Sequence, residues 1–74
     1  MKSYSSREVI KILKANGWYL TATVGSHHHF KHPNIPGKVT VKHPAKDIPR
    51  KTLASIAQQS GLRFPYPPHR YRAV

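Results

Sequence analysis

"WYLTATVGSHHHFKH", residues 18–32, decides the fold. In its first half, Trp18, Leu20, Ala22 and Val24 share one parity, and Tyr19, Thr21 and Thr23 share the other. Aromatic and β-branched residues dominate, so a half-buried strand is predicted. Gly25 and Ser26 then break the alternation with a tight turn. "HHFKH" alternates again around Phe30. The loop "PNIPGK" (33–38) leads to "VTVK" (39–42), with Val39 and Val41 inward and Thr40 and Lys42 outward. Such short connections favour three strands in an antiparallel meander.

Helical patterns flank this region. In "SSREVIKILKANG" (5–17), Ser5 and Glu8 form an S-x-x-E capping box. Val9, Ile10 and Leu13 make an apolar stripe, supported by Ile12. Gly17 is placed to end the helix in the left-handed conformation. After the connector "HPAKDIP" (43–49), "RKTLASIAQQSGL" (50–62) reads as a second helix, with Leu53, Ile56 and Ala57 at helical spacing. Pro49 suits its first turn, and Gly61–Leu62 suggests a Schellman stop. The expected fold is α+β in the order α-β-β-β-α. Both helices cover one face of a three-stranded antiparallel sheet, and the other face stays open to solvent. Residues 1–62 form the domain. Residues 63–74, "RFPYPPHRYRAV", carry three prolines and no periodicity, so an extended or disordered tail is expected.

The chain has 74 residues, enough for one small core but poorly suited to a deep enclosed pocket. Thirteen Lys and Arg oppose two acidic residues, a formal charge of +11. The positive charges are spread along the chain, which favours nucleic acid over a merely solvated basic surface. Cysteine is absent, which excludes disulfides and thiolate zinc sites. No apolar run approaches the ~20 residues of a membrane span, and the N-terminus lacks a signal-peptide pattern. A cytoplasmic protein with no membrane partner is expected.

Four histidines fall within residues 27–32. His28 and His32 are four apart, but Pro33 and the β-type residues argue against a helical pair of metal ligands. The only carboxylates, Glu8 and Asp47, are remote in sequence, and the cationic chain repels a divalent ion. No metal site and no cofactor are therefore expected. If Phe30 points into the core, His28 and His32 share its face. His27, His29, Lys31, Thr40 and Lys42 then share the open face. Positive charge around an imidazole disfavours its protonated form. A neutral imidazole accepts a proton from a ribose 2′-hydroxyl, and a nearby ammonium holds the phosphate. A histidine that only contacts phosphate would look the same in sequence. Ser26 has no Asp spaced for a triad and is read as a turn residue rather than a nucleophile.

These stretches resemble the HicA-type (YcfA-like) toxins of bacterial toxin–antitoxin pairs. "REVIKILKANGW", "GSHHHFKHP", "VTVKHPAKDIPRKTL" and "SIAQQSGL" carry the resemblance over residues 7–62. It implies a fold like a double-stranded-RNA-binding domain. It also implies a ribosome-independent mRNA interferase, an endoribonuclease whose mRNA cleavage arrests growth. The implied partner is a HicB-type antitoxin that covers the active site, expected to be acidic in its contact surface by charge complementarity. The resemblance places catalysis on the histidine after the Gly-Ser pair, here His27, with Gly25 and Ser26 as the turn. His28 and His29 inherit no role from it, and it says nothing about residues 63–74. With one histidine, the second proton transfer falls to water, a lysine or the substrate.

Lys31, Lys42 and Lys46 are candidate phosphate contacts, and Tyr19, on the outward parity, is a candidate for stacking on a base. Trp18 and Phe30 are expected in the core. The alternative from another class is a non-catalytic double-stranded-RNA binder, which predicts affinity without strand scission.

Overall fold

The computed structural model describes residues 4–63. Five elements follow in the expected order: α1 (Ser6–Ala15), β1 (Tyr19–Val24), β2 (His27–Lys31), β3 (Val39–Lys42) and α2 (Arg50–Ser60). The expected tail lies outside the described residues apart from Arg63, which is exposed.

Helix α1 starts as its sequence requires. The Glu8 N–H donates to Ser5 Oγ at 3.2 Å, and the Ser5 N–H donates to Glu8 Oε1 at 3.0 Å. Two otherwise orphaned donors are satisfied reciprocally. Gly17 follows the C-cap Asn16 with φ +93°. Pro49 is the N-cap of α2, one position earlier than its expected place in the first turn. The stop of α2 also differs from the Schellman reading. Gly61 takes φ +78° and its N–H donates to the Ala57 carbonyl at 2.8 Å. The Leu62 N–H, however, donates to Ser60 Oγ, which itself donates to the Ile56 carbonyl at 2.7 Å. The hydroxyl stands where the second Schellman bond would run, so the helix ends in the simpler left-handed form.

The sheet order is β1-β2-β3, antiparallel throughout. Val24 pairs with His27 across the two-residue turn. Gly25 takes φ +59° while Ser26 stays negative, as in a type II′ hairpin turn. Phe30, Val39 and Val41 pack in one core with Val9 and Leu13 of α1 and Leu53 and Ile56 of α2. Both helices therefore cover the same sheet face.

The expected half-burial of β1 is wrong. Trp18 is buried, at 2% exposure, but every residue of β1 itself is exposed, with Leu20 at 46% and Val24 at 63%. Two causes combine. β1 is an edge strand, and the helices pack chiefly on β3. The register also shifts between Leu20 and Ala22. Leu20 opposes Phe30 and Val24 opposes His27, so β1 takes four steps where β2 takes three. One extra residue at Thr21 makes a bulge, and everything beyond it changes face. Ala22 and Val24 thus stand beside His29 and His27 on the open face.

Candidate functional site

The open face is built from pairs of directly opposed residues, whose side chains point the same way. Val24, His27 and Lys42 form one row; Ala22, His29 and Thr40 form the next; Tyr19 and Lys31 form the third. Rows on one strand repeat about every 7 Å. His27, Lys31, Lys42 and Tyr19 are all exposed. The sequence parity around Phe30 therefore holds for β2 and β3. Of the two side-chain carboxylates, Glu8 closes the α1 cap, and Asp47 lies in the connector before α2, in a groove that Lys42 also borders. Among the described residues, no group of three His, Cys, Asp or Glu is arranged to hold a metal ion.

The neighbouring histidines differ sharply. His28 is half-buried on the helical side, and its ring meets His43 edge-on, with centroids 5.0 Å apart. Its Nδ1 is buried without a hydrogen bond. His29 lies on the open face, and its Nδ1 is hydrogen-bonded to Thr40 Oγ1 at 2.8 Å. His32 closes the helix–strand corner. Its Nδ1 accepts from the Asn34 N–H, and its Nε2 lies 3.0 Å from the Asn16 carbonyl. Because Nδ1 accepts, Nε2 must carry the proton it donates, and the ring is a neutral structural strut against Trp18.

Lys46 belongs to a different place. It lines a groove with Ser5, Arg7 and His43 at the start of α1. The His43 N–H donates to the Ser26 carbonyl at 2.8 Å, which joins this groove to the Gly25–Ser26 turn. Arg7, Ser6 and His43 were not among the residues expected here. Ser6 and His43 meet across 37 residues of chain, a separation with no local signal.

A model of the HicA toxin of bacterial toxin–antitoxin systems matches residues 6–62. The chain belongs to the HicA toxin family. The match takes in every described element, from α1 to the stop of α2. Membership of a toxin–antitoxin family points to an antitoxin partner. A search of curated proteins found no match. No helix among the described residues is long and apolar enough to cross a membrane.

Proposed function

We propose that the toxin is a metal-independent, ribosome-independent endoribonuclease that cleaves mRNA, with His27 as its proton-accepting residue. The observation that carries this reading is the row His27–Lys42, cross-strand partners that are both exposed on the open face. A neutral His27 imidazole takes the 2′-hydroxyl proton, and the 2′-oxygen attacks the adjacent phosphorus as the phosphorus–5′-oxygen bond breaks, leaving a 5′-hydroxyl once that oxygen gains a proton. Lys42 is paired with His27 about 5 Å away at the backbone, and its ammonium offsets the charge gathering on the phosphate oxygens. The upstream product is a 2′,3′-cyclic phosphate. Lys31 holds the chain further along the face, and Tyr19 beside it offers a ring for a base. Gly25 and Ser26 set the start of β2 and so the position of His27. Lys46 and Arg7 extend the cationic track past the turn. A HicB-type antitoxin with an acidic contact surface would silence the toxin by covering these groups.

Induced expression of the wild type and of His27→Ala tests the reading, alongside purified protein on labelled RNA. The wild type should arrest growth and cut RNA to a cyclic-phosphate end, and the folded variant should do neither. A folded His27→Ala protein as toxic as wild type refutes the assignment. RNA retention without scission by the wild type would favour a binding module instead.

A further inference from the structure

The histidine two residues beyond His27 is placed for the other half of the reaction. His27 and His29 lie on one strand and one face, about 7 Å apart along the backbone. His28, between them in the chain, points to the opposite side and packs on His43. In an in-line displacement at phosphorus, the attacked 2′-hydroxyl and the leaving 5′-oxygen lie on opposite sides of one phosphate. Each needs a proton-transfer group within about 2.6–3.2 Å. Two side chains one row apart on a flat face can bracket a single phosphate in this way. Lys42 shares the row of His27 and is better placed for the phosphate oxygens.

Thr40 supplies the second observation. Its hydroxyl is 2.8 Å from His29 Nδ1, across the β2–β3 pair. A side chain whose only task is to meet solvent has no need of a fixed ring. In the imidazolium form both ring nitrogens carry protons, so Nδ1–H donates to Thr40 Oγ1 and the Nε2–H remains for a ligand.

We infer that His29 is the general acid that protonates the leaving 5′-oxygen, with Thr40 as the positioning residue that orients its ring. This rests on the RNA-cleavage reading above. The 2′-oxygen–phosphorus bond forms as the phosphorus–5′-oxygen bond breaks. His27 gains the 2′-hydroxyl proton, and the His29 imidazolium gives its Nε2 proton to the 5′-oxygen. The products are a cyclic phosphate and a 5′-hydroxyl, and proton exchange with water restores both rings. No oxidant, metal or third reactant is required. The titratable groups sharing the face with His29 are His27 and Lys31 along its strand, Tyr19 on β1 and Lys42 on β3. Directly opposite it stand Ala22 and Thr40.

The test compares wild type, His27→Gln, His29→Gln and Thr40→Val on two RNAs. One is ordinary; the other carries sulfur in place of the 5′-bridging oxygen at the cleaved linkage. A thiolate leaves without needing a proton. His29→Gln should cut ordinary RNA about 10²–10⁴-fold more slowly, yet cut the sulfur substrate within a few-fold of wild type, which an unfolded variant cannot do. His27→Gln should be slow on both. Thr40→Val should show a smaller version of the His29→Gln pattern. Wild-type kcat/KM should fall at both low and high pH, and His29→Gln should lose the high-pH fall. Equal slowing of His29→Gln on both substrates, or near-wild-type cutting of ordinary RNA, overturns the inference while His27 stands. A wild type inert on both substrates overturns the cleavage reading itself, and this inference with it.

Discussion

Ser6 Oγ lies 2.7 Å from His43 Nδ1, and the same oxygen accepts the Ala45 N–H at 2.8 Å. Ser6 is 1% exposed, and its own N–H donates to the Ala45 carbonyl. One hydroxyl thus ties the first turn of α1 to the connector after β3. The same connector holds the Ser26 carbonyl through the His43 N–H. Ser6→Ala leaves two partly buried polar groups without a partner, at a cost of about 1–3 kcal/mol. In a domain this small, each kcal/mol lowers Tm by about 4–8 °C. A thermal melt of Ser6→Ala should show that drop. RNA cleavage below the new Tm should also fall, because the turn that positions His27 loses its anchor. An unchanged melt refutes the tie.

Gly17 and Gly61 both take positive φ, but they differ in what surrounds them. A Cβ at Gly17 would lie 2.7 Å from His32 Nε2, whereas one at Gly61 would meet nothing within 4 Å. Gly61→Ala should cost only the left-handed penalty, about 1–2 kcal/mol. Gly17→Ala adds displacement of His32 from the Asn16 carbonyl and from Trp18, so its melt should fall further than that of Gly61→Ala. Equal melting of the two would show that His32 yields at no cost.

Much of the fold was legible because local signals agreed. The Ser5–Glu8 box, the Gly25–Ser26 turn and the β3 alternation each named their element, and parity around Phe30 separated His27 and His29 from His28. The Thr21 bulge was not legible. Thr21 is a good strand residue, and nothing local marks it as extra. The bulge arises from two long-range demands: Leu20 opposes Phe30, and the two-residue turn sets Val24 against His27. Those registers differ by one residue, and an edge strand tolerates the mismatch. The bond from His29 to Thr40 was equally hidden, since it needs the exact pairing of β2 with β3. Alternation alone reveals a shared face, but not a fixed ring.

The bulge itself gives a stability contrast. Uninterrupted alternation would bury Val24 with Trp18, making Val24→Thr a costly core substitution. With Val24 63% exposed beyond the bulge, Val24→Thr should change stability by no more than about 0.5 kcal/mol. Leu13→Ala, at 0% exposure, should cost about 2–5 kcal/mol. Chemical denaturation of both variants checks this. A large loss from Val24→Thr would mean that β1 keeps a single parity.

On the proposed cleavage reading, the lysines divide into those that hold the RNA and the one that acts on it. Removing one phosphate-binding ammonium should reduce the slope of log K against log salt by about 0.7 for single-stranded RNA. Measured in a His27→Ala background, which on the proposed reading should bind without cutting, Lys31→Gln, Lys42→Gln and Lys46→Gln should each flatten the slope by about that amount. They should weaken binding alike across RNA sequences, because a phosphate carries no base identity. In the active protein they should separate. Lys31 lies a further row away, and Lys46 lies in the groove beside α1, so their substitution should raise KM with little change in kcat. Lys42 stands opposite His27, and in the proposed reaction it meets the charge that develops on the phosphate, so Lys42→Gln should lower kcat as well. A kcat unaffected by Lys42→Gln, alongside a flattened salt slope, would reduce Lys42 to a tether and leave the transition-state charge to another group on the face.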